Sequence, residues 1–139
     1  MTTETAAIRA HKNSIRNAMA GNKQAWLALF DDDAVVHDPV GPSDHDPEGR
    51  GARGIAEISE FWDRMIGPNN LNIVPHKRIS CGETVAAVIM TAASEQAGIK
   101  TYIEMVGVYQ VNASGKLTSL DIYWDTNSLG EQLRALGVA

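Results

Sequence analysis

The chain has 139 residues and a net charge of −5, with 12 Lys+Arg against 17 Asp+Glu, and 44% of its residues are hydrophobic. This length fits one domain over residues 1–139, and this composition argues against disorder. Because the chain is acidic and has no run of Lys or Arg, we expect neither nucleic acid nor a membrane among its partners. Cys81 is the only cysteine, which excludes an intrachain disulfide.

The first residues are interrupted by Arg, His, Lys and Asn, where a signal peptide needs an unbroken apolar stretch. No run of apolar residues reaches the roughly 18 that a membrane-spanning helix requires. The sequence therefore predicts a cytoplasmic protein.

Hydrophobic spacing predicts two helices at the start of the chain. In the first, apolar residues recur at intervals of three and four up to Gly21, and Thr2 or Thr3 is the expected N-cap. Asn22 then caps a second helix. We expect that helix to end at the run Asp31–Asp33, because the helix dipole disfavours negative charge at a C-terminus.

A short strand, a loop and a third helix come next. Residues 34–37 form the strand, and the many prolines and glycines of residues 38–51 indicate a loop. The third helix presents the large apolar residues between Ile55 and Ile66 on one face, and it ends at Gly67.

After Asn70 the hydrophobic period changes from that of a helix to that of a strand. Four strands are predicted, at residues 71–80, 84–94, 99–111 and 116–126, and their short connections imply antiparallel pairing. A last helix begins at Ser128 in a capping box with Glu131. This order predicts an α+β fold: a cone-shaped α+β barrel in which a curved antiparallel sheet wraps around the N-terminal helices and encloses a pocket.

Asp38 is the strongest candidate for a chemical role. It ends the first strand and precedes Pro39, which biases its backbone toward an extended conformation. A desolvated carboxylate at such a strand end can act as a general base. The alternative is that Asp38 only caps the turn ahead of Gly41.

Three segments carry a resemblance to a known family. The stretch from Trp26 to Gly41, with its Asp-Asp-Ala-Val-Val-His-Asp-Pro-Val-Gly motif, resembles the ketosteroid isomerases of the nuclear transport factor 2-like superfamily. Residues 54–62 look like the third helix of these enzymes, and the chain from Asn112 onward looks like their last hairpin. The resemblance spans nearly the whole chain, and the superfamily also contains the SnoaL-like proteins.

The resemblance implies that Asp38 is the base that moves a proton next to a carbonyl. In the family a tyrosine and a protonated aspartate form the oxyanion hole, but here Ser14 and Gly107 stand at those positions. We therefore expect Ser14 or Tyr109 to supply part of the missing hydrogen bonding, since alternation places Tyr109 on the same strand face as Gly107.

The resemblance and the strand alternation also predict an apolar, substrate-binding wall. Its expected members are Phe30, Phe61, Trp62, Val88, Met90, Met105, Gly107, Ile122 and Trp124. Such a pocket suits a small hydrophobic ligand, steroid-like or polyketide-like, and no motif for a metal ion or another cofactor is present.

Three further expectations concern the surroundings of this pocket. We expect His11 to be a hydrogen-bonded core histidine, and the loop with Asp44, His45 and Asp46 to be solvated or a lid over the pocket. The family commonly pairs through the outer sheet face, which predicts a homodimer.

Three functions stay open from the sequence. The first is an isomerase that resembles steroid delta-isomerase, and the second is a ligand-binding protein of the same fold without catalysis. The third is a SnoaL-like polyketide cyclase, which shares the fold and an acid–base carboxylate.

Overall fold

The computed structural model describes residues 4–138, in which four helices and one π-helical turn accompany six strands. In chain order the elements are α1 (Ala6–Ala20), α2 (Lys23–Leu27), β1 (Phe30–His37), β2 (Ala52–Arg53), α3 (Gly54–Phe61), the π-helical turn (Trp62–Ile66), β3 (Asn72–Cys81), β4 (Val85–Gln96), β5 (Ile99–Val111), β6 (Leu117–Tyr123) and α4 (Thr126–Ala135).

The strands form one curved sheet in the order β2-β1-β6-β5-β4-β3. Strands β3 to β6 pair as the predicted antiparallel meander. Strand β1, however, runs parallel to β6, so the sheet is mixed rather than purely antiparallel. The sheet is not closed into a barrel, because β2 and β3 lie at opposite edges. The α+β class and the curved sheet with N-terminal helices are as predicted.

Local capping explains where the first two helices lie. The Thr5 hydroxyl accepts a hydrogen bond from the Ile8 amide at 3.2 Å and begins α1, whereas Thr2 and Thr3 lie outside the described residues. Gly21 ends α1 in a left-handed conformation with φ of 69°, which favours glycine. The Asn22 side chain caps α2 as predicted.

Two expected boundaries are wrong. The run Asp31–Asp33 does not stop a helix but lies within β1, because Phe30 and Ala34 are both buried on that strand and a register shift accommodates the residues between them. Helix α4 begins at Thr126 rather than Ser128, since the Asp125 carboxylate already accepts a hydrogen bond from the Asn127 amide at 2.9 Å.

The core lies between the inner face of the sheet and helices α1 to α3. Trp26 is fully buried there, and its ring packs edge-on against Phe30 at a centroid distance of 4.7 Å. Trp62 and Phe61 contact other parts of the same indole. This aromatic cluster fixes α2 and α3 to the sheet. Within residues 4–138, no helix is long and apolar enough to cross a membrane.

Candidate functional site

A cavity of about 620 Å³ opens between the inner face of the sheet and the helices. Its wall is mostly apolar, a composition typical of sites for small hydrophobic ligands. Side chains of α1, α2, α3, the π-helical turn, β4, β5, β6 and α4 all contribute to it. The sheet supplies inward-facing residues at every second position, which is why the cavity follows the strands.

Asp38 is the carboxylate in this wall. It follows the last residue of β1 and is half-buried, and the Trp124 indole N–H donates a hydrogen bond of 2.7 Å to its Oδ1 atom. Burial raises the pKa of Asp38 to about 6, although the hydrogen bond from Trp124 acts in the opposite direction. The group is therefore ionised at neutral pH and accepts a proton more readily than an ordinary aspartate.

The strand end that carries Asp38 is held on both sides of it. His37 pairs with Asp121 of β6 through an Nδ1–Oδ1 contact of 2.9 Å, and these two residues are register partners in the parallel pair. The Val40 amide donates to the Ile122 carbonyl at 2.8 Å. These bonds tie both neighbours of Asp38–Pro39 to the same strand, so the carboxylate is fixed relative to the cavity.

Two buried hydroxyl groups line the same cavity. Ser14 on α1 is buried, and its Oγ accepts a hydrogen bond from the Trp26 indole at 3.2 Å. That contact leaves the Ser14 proton free to be donated. Tyr109 on β5 is also buried, and its hydroxyl faces the Met90 sulfur at 4.0 Å, a weak acceptor. Burial, and then the charge of Asp38, raise the pKa of Tyr109 above its usual value, so its phenol stays protonated.

Gly107 does not line the cavity, and its missing side chain leaves a space that other groups occupy. A Cβ atom at this position would lie 2.6 Å from Met90 Cε and 3.0 Å from Tyr109 Cε1. An aspartate therefore does not fit there unless Met90 and the tyrosine ring move. The glycine and Tyr109 share a strand face, and the glycine lets the tyrosine ring pack closely against β5.

His11 differs from its prediction. It is fully buried and its ring contacts Tyr109 edge-on at a centroid distance of 4.7 Å, but neither ring nitrogen has a hydrogen-bond partner among residues 4–138. Burial lowers the pKa of His11 to about 4, with the charges of Arg78 and Lys12 adding to this effect. The histidine is therefore neutral at physiological pH, and it packs as an uncharged ring behind Tyr109.

The nine predicted wall residues divide into two groups. Five of them line the cavity: Phe61, Met90, Met105, Ile122 and Trp124. The other four are packed in the core behind it: Phe30, Trp62, Val88 and Gly107. Phe30 and Trp62 face the Trp26 indole instead of the cavity, because the aromatic cluster closes around that side chain.

Several site residues were missed by the sequence reasoning. Trp124 was expected only as a wall residue, but its indole also contacts Asp38. Leu129 and Leu133 of α4 enter the wall, and their spacing of four on an otherwise polar helix is a signal that was available. The 38–51 loop was expected to be solvated or a lid, and it contributes His45 to the cavity wall. Asp46 accepts hydrogen bonds from the amides of Arg50 and Gly51 and gives the loop a fixed turn.

A second, more polar cavity of about 440 Å³ adjoins the first. The 38–51 loop forms one side of it and α3 the other. The two cavities share the residues Asp38, His45, Phe61, Arg64 and Met65. The carboxylate thus lies where an apolar chamber meets a polar one.

Comparison with known proteins identifies the family of the chain. Residues 12–120 match the family described as the SnoaL-like domain. The chain belongs to this family. A "Steroid Delta-isomerase" of Nocardioides simplex is 28% identical over 122 residues, which cover 86% of this chain and 91% of that protein.

Two solved structures share the fold of this SnoaL-like protein over most of its length. The Mycobacterium tuberculosis protein RV0760c has a TM-score of 0.88 at 32% identity, covering 92% of this chain and 97% of that one. A Delta 5-3-Ketosteroid Isomerase from Mycobacterium sp. has a TM-score of 0.84 at 33% identity, covering 89% and 96%. RV0760c has also been solved in complex with estradiol-17beta-hemisuccinate. The ketosteroid isomerase-like, SnoaL-like and nuclear transport factor 2-like resemblance is thereby confirmed.

Proposed function

We propose that this SnoaL-like protein is an isomerase of the steroid delta-isomerase type, with Asp38 as its general base. The observation that carries the proposal is a fixed carboxylate, whose pKa is raised to about 6, in the wall of an apolar cavity that also contains two buried hydroxyl groups. The relatives named as isomerases support the same class of reaction.

The proposed reaction moves one proton within a hydrophobic unsaturated ketone. Asp38 takes a proton from the carbon between the carbonyl and the double bond, and the electron pair of that C–H bond passes into a dienolate. The protonated Asp38 then returns the proton to the far end of the original double bond, which shifts the double bond into conjugation. The base is regenerated, and no oxidant or cofactor is consumed.

Negative charge develops on the carbonyl oxygen during this transfer. Ser14 and Tyr109 carry the two buried hydroxyl groups of the cavity wall, one on a helix and the other on the sheet. In this proposal they share the stabilisation of the dienolate oxygen. Trp26 orients the Ser14 hydroxyl by donating to its oxygen.

The first test is turnover as a function of pH. A β,γ-unsaturated steroid ketone is incubated with the protein, and the absorbance of the conjugated product is followed between about pH 4 and pH 9. Because only ionised Asp38 accepts a proton, kcat/KM rises with pH and levels off above the Asp38 pKa of about 6. A rate that is flat across this range contradicts Asp38 as the base. If the steroid ketone binds tightly but is not turned over, the result favours a ligand-binding protein without catalysis. If it neither binds nor reacts, the SnoaL-like polyketide cyclase is the remaining alternative.

A homodimer formed through the outer sheet face is the second part of the proposal. Ile89, Val106 and Tyr123 are register neighbours on β4, β5 and β6, and they are 44%, 40% and 48% exposed. Such a row of exposed apolar side chains is typical of an interface.

Val106→Glu is therefore expected to convert a dimer into a monomer, because the interface would then bury the glutamate charge of each subunit against the other subunit. Analytical ultracentrifugation measures the mass. Leu136→Glu, at an exposed apolar residue of the C-terminal helix end, is the control that should leave the dimer intact. A wild-type protein that sediments as a monomer contradicts this part of the proposal.

A further inference from the structure

Asp38 has a second side that the proposed reaction does not use. Its carboxyl group belongs to the wall of the apolar cavity and also to the wall of the polar cavity of about 440 Å³. A ketone that fills the apolar cavity displaces water from that cavity only. The polar cavity therefore stays in contact with the carboxyl group while the substrate is bound.

The two carboxyl oxygens of Asp38 differ in their surroundings. The Oδ1 atom accepts the hydrogen bond from the Trp124 indole. The Oδ2 atom has no hydrogen-bond partner among residues 4–138 and, unlike the ring nitrogens of His11, it is not sealed from water. Oδ2 is therefore the atom that can hold a proton and pass it to a water molecule.

Charged side chains dominate the wall of the polar cavity, which includes five carboxylates, two arginines and one histidine. Glu48 and Glu60 are exposed, as are Arg50 and Arg64, and none of these four forms an ion pair among residues 4–138. Charged groups without a partner keep their hydration, because the loss of that hydration is costly. The polar cavity is therefore a place for water, and its exposed wall residues connect it with the solvent.

The 38–51 loop gives the polar cavity a fixed shape. Ser43 and Asp46 exchange two backbone hydrogen bonds of 3.0 and 3.1 Å, and the Asp46 carboxylate accepts from the Gly51 amide at 2.8 Å. Gly51 in turn lies against the His37 ring, where a Cβ atom would be only 2.7 Å from the ring carbon Cδ2. The loop is thus tied to itself and to the end of β1, so the opening beside Asp38 is part of the fold.

We propose that the polar cavity is a water-filled proton pathway between Asp38 and the solvent, and that the protein therefore has a further activity, the exchange of a substrate hydrogen with water. The inference rests on the proposed function, since Asp38 must first take a proton from the bound ketone. The observation that carries it is one carboxyl group shared by an apolar cavity and a charged one.

The exchange inserts one step into the isomerisation. Asp38 takes the proton from the carbon next to the carbonyl, and the electron pair of that C–H bond passes into the dienolate. The proton on Oδ2 then passes to water in the polar cavity, and a hydrogen from water replaces it. Asp38 delivers this second hydrogen to the far carbon, where the new C–H bond forms. One substrate hydrogen has been exchanged with one water hydrogen, and nothing is oxidised or reduced.

The test is isomerisation in D2O. A β,γ-unsaturated steroid ketone is incubated with the wild-type protein in this solvent, and the enone is analysed by mass spectrometry at low conversion. More than half of the enone molecules should carry one deuterium atom. The deuterium that finished enone takes up with the protein in the same time is subtracted. An enone without deuterium means that the abstracted proton returns directly, and this result overturns the proposal.

A double variant tests whether the hydrogen passes through the polar cavity. Ser43→Leu/Glu60→Leu places apolar side chains on the loop side and on the α3 side of that cavity. The deuterated fraction should then fall by about threefold or more, because water in a cavity needs polar partners. The control is Ser80→Leu/Glu131→Leu, the same change at exposed residues outside both cavities, and it should keep the wild-type fraction.

The outcomes separate the pathway from the function on which it rests. If enone forms without deuterium, the pathway is wrong while Asp38 stands as the base. If the double variant incorporates as much deuterium as the wild type, water reaches Asp38 by another route and the polar cavity is not the pathway. If no enone forms at all, the proposed function fails together with the pathway. Glu60→Leu alone, at an exposed residue of α3, gives the same comparison if the double variant does not fold.

Discussion

Asp38→Asn is expected to lower kcat by about 10²–10⁴-fold, the usual contribution of a general base. Asparagine keeps the shape of the side chain and the oxygen that accepts from the Trp124 indole, so the cavity stays intact and only the ability to take a proton is lost. The measurement is the initial rate of enone formation from a β,γ-unsaturated steroid ketone. Asp33→Asn, at an exposed residue of the same strand, serves as the matched control and should leave the rate unchanged. A variant that turns over at the wild-type rate would remove Asp38 from the mechanism.

The same substitution is expected to stabilise the protein at neutral pH. The pKa of Asp38 in the folded state, about 6, lies above its ordinary value of 3.8, so the folded state prefers the protonated form. Its favourable contribution is complete below pH 3.8 and is lost as the pH rises through about 6. At pH 7 the free energy of unfolding of the Asp38→Asn variant should therefore be about 2–3 kcal/mol higher than that of the wild type. Urea titrations at several pH values measure this difference, which should vanish below pH 4.

Tyr109→Phe and Ser14→Ala should each lower kcat, and Tyr109→Phe should have the larger effect. Loss of one oxyanion donor typically costs about 10²–10³-fold in kcat. Phenylalanine preserves the ring that packs against His11, so binding of the ground-state ketone should change little. Ser14 has the shorter side chain of the two donors, and we expect its replacement by alanine to lower kcat by about tenfold. The measurement is kcat and KM for both single variants and the double variant.

The matched control for the tyrosine is Tyr102→Phe, because Tyr102 is 53% exposed on the other face of β5. Ser14→Ala also leaves the buried Trp26 N–H without its acceptor, which should cost about 1–3 kcal/mol of stability. Thermal denaturation therefore accompanies the kinetics. If both variants stay folded and keep the wild-type kcat, neither hydroxyl takes part in the reaction.

The helices and the meander could be predicted from local rules. Gly21 and Asn22 mark their helix ends through backbone conformation and side-chain capping, which depend on neighbouring residues only. Strand β1 was harder, because its first half carries the run Asp31–Asp33. The residues on both sides of that run, Phe30 and Val35, pair with β6 and so keep the run within the strand, and no local pattern encodes a partner more than 80 residues away.

The candidate site was only partly accessible from the sequence, for a similar reason. The motif around Asp38 located the carboxylate, and alternation located Met105, Ile122 and Trp124 in the cavity wall. The alternation of side chains along a strand shows which face of the sheet a residue lies on. It does not show whether that residue reaches the cavity or lies in the core behind it. Phe30 and Trp62 have the right chemistry for a wall, but they pack around Trp26, and only the three-dimensional arrangement of α2 and α3 decides between core and cavity.

The hydrogen bond between Asp38 and Trp124 joins residues 86 positions apart, so it cannot form until most of the chain has been synthesised. During synthesis the three N-terminal helices emerge from the ribosome long before β6 exists. Strand β1 then has no parallel partner, and the carboxylate at its end has neither the indole nor a cavity around it. Such a sequence-distant contact forms late, after its loop entropy has been overcome. A nascent chain that stops before residue 124 thus carries the motif of the proposed base without its environment, and the proton-transfer site comes into being only with the nearly finished polypeptide.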